Sequence, residues 1–219
     1  MTKKETLQTL TNPVPSAVLK KWPEGQITQY WADNPTRYSE VFNLVDDFSK
    51  YVEGHTGLDI VGAFRTSIVS ASSGKVYYIK TDRNNLGGVT AYIETVCDDG
   101  VLTFAYGHLD EAIVHDGEYV TRGQSIGYMG NTGFVVSGNT PYWGNAPAGV
   151  GVHCHFGIYE TVKKSDGTFV KIYPYLQGSI DPLPWLTGNW GGTSILLTSI
   201  AKWLGSVSSY LLQRSKKLS

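Results

Sequence analysis

From about Gly25 onward the chain is a succession of short runs rich in β-branched and aromatic residues, each cut off by a Gly, Asn or Asp cluster. ITQYW (27–31), TSIVSAS (66–72), KVYYIK (75–80), GVTAYIETV (88–96) and VLTFAYGH (101–108) have this character. SIGYMG (125–130), GVHCHFGIYE (151–160) and TFVKIY (168–173) continue the series, and SSG at 72–74 and DDG at 98–100 are typical breaks. These are strand and hairpin signals, so a mainly β fold is expected. The 25 glycines and 14 tyrosines agree with it, since Gly supplies turns and Tyr suits half-buried strands.

The remaining segments set the organisation. Residues 1–21 form a polar, Pro-containing arm with no motif. A domain follows over 22–187, and a linker with an amphipathic C-terminal helix is expected over 188–219. Leu196, Leu197, Ile200, Trp203, Leu204, Val207, Tyr210 and Leu211 share one face of that helix at helical spacing. Residues 193–219 carry Lys202, Arg214, Lys216 and Lys217 and no acid. The stripe, about 194–212, therefore suits packing on the domain or a partner, or lying on an anionic membrane. Residues 37–53 fit a short helix or a loop. Residues 133–152 are Gly/Asn/Pro-rich, and so long a connection is often a binding loop.

A net charge of -1 gives no basic excess, so nucleic acid is not an expected partner. Two cysteines define no disulfide framework, and Cys154, flanked by histidines, is expected to pack in the core. The N-terminus lacks an apolar segment, so no ordinary secretion signal is expected.

The five histidines carry the chemical signal. In GVHCHFGIY, His153 and His155 are at i and i+2, so on a strand they share one face while Val152, Cys154 and Phe156 point to the other. The apolar face can enter the core and the histidine face can line a cleft. In GHTGLDIVG, His55 and Asp59 flank a Gly-containing turn that feeds a strand. A catalytic zinc site takes three protein ligands from His, Asp, Glu or Cys and keeps an open position. Two histidines and an aspartate would serve, and two more histidines could handle protons and stabilise a tetrahedral intermediate. No HExxH is present, which excludes a helical zincin. Taken alone, His108 at the end of its run is a structural strand-end residue, and His115 in IVHDGEYV is a solvated loop residue.

Taken together, the motifs resemble those of the lysostaphin/LytM zinc metallopeptidase family. Members carry H-x-G-x-D, Y-x-H-L, G-Q-x-I-G with G-x-T-G, and H-x-H-F, in that order. This chain has HTGLD at 55–59, YGHL at 106–109, GQSIGYMGNTG at 123–133 and HCHF at 153–156. The resemblance spans about residues 25–162. It implies an antiparallel β-sandwich-like metallopeptidase domain with a groove over the metal. It implies one Zn2+ held by His55, Asp59 and His155, with His108 and His153 as the catalytic pair. It implies hydrolysis of peptide bonds in bacterial peptidoglycan, whose peptides would be the partners. The glycines of GQSIGYMGNTG are expected in tight turns beneath the groove. The stretch between Gly133 and His153 is longer than is usual in the family, so one groove wall is expected to be rebuilt.

Two rivals are weaker. A cupin motif wants Gly where Pro147 stands and a histidine after His155, and neither is present. A catalytically idle scaffold or regulator of other wall hydrolases would be expected to have lost ligands, and all five positions are retained. With no secretion signal and no wall-binding repeat, a phage-type lysin, virion-borne or released, is the expected setting.

Overall fold

The computed structural model describes residues 1–34, 54–163, 169–171 and 178–188. The 37–53 segment and the expected linker and helix beyond residue 188 lie outside the described residues.

The fold is mainly β and antiparallel. A helix α1 (Lys3–Leu7) is followed by β1 (Ile27–Gln29), β2 (Leu58–Val61), β3 (Ser67–Val69), β4 (Gly74–Lys80), β5 (Val89–Cys97) and β6 (Gly100–Ala112). Then come β7 (Tyr119–Val120), β8 (Ser125–Met129), β9 (Phe134–Ser137), β10 (Thr140–Trp143), β11 (His153–Lys163), β12 (Phe169–Lys171) and β13 (Ser179–Ile180). A last short helix, α2, covers Leu183–Leu186. The main sheet runs β1-β2-β11-β6-β5-β4-β7, with β12 and β13 also on β11, and β8 joining β6 to β3.

The strands form where period-2 alternation gives one face to the core. Cys154, Phe156 and Ile158 on β11 are fully buried, as are Leu102, Phe104 and Tyr106 on β6. Phe156 stacks on Phe104 at 6.4 Å and lies 5.3 Å from Tyr106. Each of the Phe, Leu and Ile side chains contributes about 1.5–3 kcal/mol by leaving water. Both cysteines are free and buried, and Cys154 packs in the core as expected.

His108 does not end its strand. It sits inside β6 at φ 57, a left-handed residue. Before it, β6 pairs with β11 as far as Gly107; after it, from Leu109, β6 pairs with β8. The pairing with β5 slips by one residue at the same place. This bulge re-aims the strand. The corner folds the β3–β8 layer over the sheet, so that Ile68, Ile126 and Met129 join Phe104 and Tyr106 in one core, the sandwich-like arrangement. Buried Tyr106 accepts the Ala71 N–H at its hydroxyl (2.8 Å), joining the layers.

Three further expectations need correction. The 133–152 stretch is not one loop, because β9 and β10 pair within it as a hairpin, Phe134 opposite Trp143. Of the glycines in GQSIGYMGNTG, Gly123 and Gly133 have positive φ, but Gly127 lies within β8. Gly130 bridges to His153 and is small because a β-carbon there would strike the Asp110 backbone. The arm is also more than polar: Leu7 and Val14 are buried in the main core, and Lys3 reaches Glu160 and the Thr161 carbonyl.

Candidate metal centre

The register of three strands builds the centre. Asp59 on β2 lies directly opposite His155 on β11, and His155 lies opposite Gly107 on β6. His153, two residues earlier, shares the face of His155. His55 precedes β2, brought in by the turn through Gly57, where a β-carbon would run into the Phe156 carbonyl. Four histidines and Asp59 thus converge. His115 is exposed in a turn and takes no part.

His55 Nε2 is 2.9 Å from Asp59 Oδ1 and 2.8 Å from His155 Nδ1, and His155 Nδ1 is 3.1 Å from Asp59 Oδ1. Among the described residues this trio is the one group placed to hold a metal ion. A tetrahedral zinc with ordinary bonds separates its donors by about 3.3 Å, so the triangle needs to widen only slightly. The outer contacts fit as well. His55 Nδ1 is 3.1 Å from the Tyr30 carbonyl, which can only accept, so the ring donates there and keeps a lone pair on Nε2. His155 Nε2 is 3.4 Å from Thr56 Oγ1, which accepts from the Tyr159 hydroxyl at 3.1 Å. With His155 donating at Nε2, three electron-pair donors face one another, one of them a carboxylate. The donor set fits zinc in chemistry and in outer support.

His108 and His153 form the other half. Their ring centroids are 4.5 Å apart, and His108 is 6.2 Å from His155. His153 Nε2 is 3.7 Å from Asp59 Oδ1. Both Nδ1 atoms face carbonyls, His108 that of Thr132 at 2.7 Å and His153 that of Gly151 at 2.8 Å. Each ring therefore donates at Nδ1 and has Nε2 left to accept.

The electrostatics follow from enclosure. Burial works to raise the Asp59 carboxyl, but in the metal-free protein His55 and His153 beside it, with hydrogen bonds from His155 and His55 when their facing nitrogens carry protons in place of a metal, hold it well below the usual carboxylate range. Burial pushes His108 down to about 3, helped by His153 and His155. It lowers His155 too. Burial also raises the Tyr159 hydroxyl to about 12, so it stays a donor to Thr56 at neutral pH.

All five sequence-predicted residues are brought together. The sequence motifs contain but did not single out Thr56, whose hydroxyl meets His155 Nε2, and Thr132, whose carbonyl fixes the His108 tautomer. They left out Tyr30 and Gly151 altogether, since both act through backbone carbonyls and carry no side-chain signature.

The chain is 34% identical over 133 residues to the uncharacterized lipoprotein YgeR of Escherichia coli, covering 60% of this chain and 49% of that protein. It is 33% identical over 90 residues to the murein hydrolase activator NlpD of Salmonella dublin (41% and 23%). It is 29% identical over 147 residues to lysostaphin of Staphylococcus staphylolyticus (63% and 27%). The chain thus spans about half or less of the length of these curated relatives. Among solved structures it is similar to the catalytic domain of lysostaphin from Staphylococcus simulans, at 26% identity and TM-score 0.43, covering 62% of this chain and 80% of that one. A zinc-containing peptidase from Vibrio cholerae gives 20% identity and TM-score 0.48, covering 80% and 38%. The match to Peptidase family M23 runs from residue 53 to residue 167, more than half of the chain and all five converging residues, and the chain belongs to that family.

Proposed function

We propose that this chain is a zinc-dependent endopeptidase that hydrolyses peptide bonds in bacterial peptidoglycan, in stem peptides or cross-bridges, and that it serves as a phage-type lysin. The observation that carries the proposal is the convergence of His55 Nε2, Asp59 Oδ1 and His155 Nδ1 within 3.1 Å, with two further imidazoles beside them. These three would hold the ion, which supplies Lewis acidity for activating water and polarising a carbonyl.

The chain's own residues do the rest. His108 and His153 each donate at Nδ1 to a carbonyl and can take a proton at Nε2. Burial holds His108 neutral at working pH, so its Nε2 lone pair is unprotonated there. Once protonated, either ring becomes a donor to an oxyanion and an acid for the departing amine. The two share these roles. Asp59, held ionised, stays a ligand across the working pH range.

A second role has one observation in its favour: relatives at 33% identity are named murein hydrolase activators. Such a regulator needs no metal and no base.

Elemental analysis of zinc on the wild type and His55→Ala, with turbidity clearing of purified cell walls on the same samples, decides. The proposal expects about one zinc per chain in the wild type, and joint loss of zinc and clearing in the variant. A wild type that takes up no zinc, or clears walls equally well without its histidine, sinks the peptidase proposal. Stimulation of a second wall hydrolase by metal-free protein would establish the activator role.

A further inference from the structure

His55 is oriented by a turn and not by a strand. Besides the ring contact to Tyr30, its main chain is bonded on both sides: its N–H donates to the Asp33 carbonyl (3.0 Å) and its carbonyl accepts from Ala32 N–H (2.8 Å). The Asp33 carboxylate accepts from Tyr30 N–H (2.9 Å) and closes the turn. Residues 30–33 form a clasp around His55.

The clasp is not a relaxed conformation. Ala32 has φ 65 and Asn34 φ 53. A left-handed alanine is sterically disfavoured and persists only where its surroundings impose it. Trp31 supplies that imposition. It is 5% exposed, and its indole N–H donates to Ser179 Oγ (2.9 Å), itself 4% exposed. Trp31 and Ala32 form an apolar cluster separate from the main core. Ser179 lies on β13 opposite Tyr159 of β11, the strand that bears His155. One side chain therefore links the clasp on His55 to the strand carrying His155.

We infer that Trp31 is a positioning residue for the metal: its bond to Ser179 keeps the 30–33 clasp shut and His55 Nε2 aimed at Asp59 and His155. This rests on the zinc proposal above. Outer-shell partners of metal ligands are worth about 10- to 100-fold in metal affinity. Trp31 acts one step further out, so the lower end is expected.

The test is zinc affinity, read by competition with a chromogenic chelator at a temperature well below each variant's Tm. The proteins are full-length wild type, Trp31→Phe, Ser179→Ala and Val14→Ala. Val14 is 2% exposed in the main core and supplies a loss of stability unrelated to the clasp. Trp31→Phe and Ser179→Ala are each expected to bind zinc about tenfold more weakly, with Val14→Ala unchanged. If Trp31→Phe does not fold, Ser179→Ala decides alone. Wild-type affinity in the Trp31 and Ser179 variants overturns the inference, as does an equal loss in Val14→Ala. Both of those outcomes leave the zinc proposal standing; a wild type that binds no zinc removes the two together.

Discussion

Asp59 and His155 face each other across a regular antiparallel ladder, whereas His108 stands at a corner where β6 changes partners. The ladder fixes a distance: paired residues on neighbouring strands lie at a spacing set by the sheet itself. The corner fixes something else. His108 is left-handed, buried, and tied at Nδ1 to the Thr132 carbonyl. Its backbone geometry is costly, and what it secures is a tautomer and a neutral ring. In the proposed peptidase, ligand atoms need mutual spacing, while proton-handling atoms need a defined lone pair, and the two regions would supply one each.

The sharpest way to break this comparison is to remove the corner imidazole alone. Asn tolerates the left-handed conformation that most residues avoid, so His108→Asn removes the ring with the least backbone damage. The variant is expected to keep about one zinc per chain and to lose about 10²- to 10⁴-fold in kcat, the usual worth of a positioned acid–base group. Zinc content and wall-clearing rate on one preparation check both halves. Loss of zinc along with activity would show that the corner also supports the ligands, and the division between the two regions would fail.

A second effect is smaller and reads stability. An unfolded imidazole titrates near 6.5, and burial pushes His108 down to about 3 in the fold. Between these values the unfolded chain holds a proton that the folded chain lacks. Stability therefore rises with pH across that window and is lost on acidification from about 6.5 downward. His155, lowered by burial, has the same sign. Asp59, held low by its histidines, also has that sign, but its window lies below the ordinary carboxylate range. Thermal unfolding of the metal-free protein should fall off by roughly 1 kcal/mol per pH unit for each such group in its window. In His108→Asn the slope between pH 6.5 and 4.5 should be shallower, with the curves parallel above pH 7. Parallel curves over the whole range would mean that His108 is not held neutral by the corner.

The same contrast explains what the sequence discloses. The ladder side is legible because period-2 alternation is visible in residue types: Val152, Cys154 and Phe156 inward, His153 and His155 outward. The corner is not, because YGHL carries no mark of a bulge: the strand-like run in the sequence stops at His108, whereas the strand itself bends there and continues to Ala112. The β9–β10 hairpin was hidden for another reason. Its turn residues, Gly and Asn, are the same ones that make a loop, and each strand has only four residues. The clasp of residues 30–33 was invisible altogether, since its bonds to His55 are backbone bonds and any sequence could supply them.

The smallest expected effect sharpens how far the hairpin region reaches into the site. Asn131 Nδ2 donates to the Pro147 carbonyl (3.0 Å) and the Val150 carbonyl (2.9 Å), drawing in the segment that ends at Gly151. Gly151 is packed against Val135 of β9, and its carbonyl takes the Nδ1 proton of His153. Asn131→Ala cuts the tether without touching a ring. Two lost hydrogen bonds of ordinary strength cost about 1–2 kcal/mol, which in a chain of this size lowers Tm by roughly 2–8 °C. Zinc content should not change, because no ligand leans on this segment. If the tether also holds the Gly151 carbonyl in register, kcat falls by about tenfold, since small misplacements of a catalytic group are expensive. A lower Tm with unchanged kcat would confine the segment to stability and leave Val135 as the residue that keeps Gly151, and through it His153, in place.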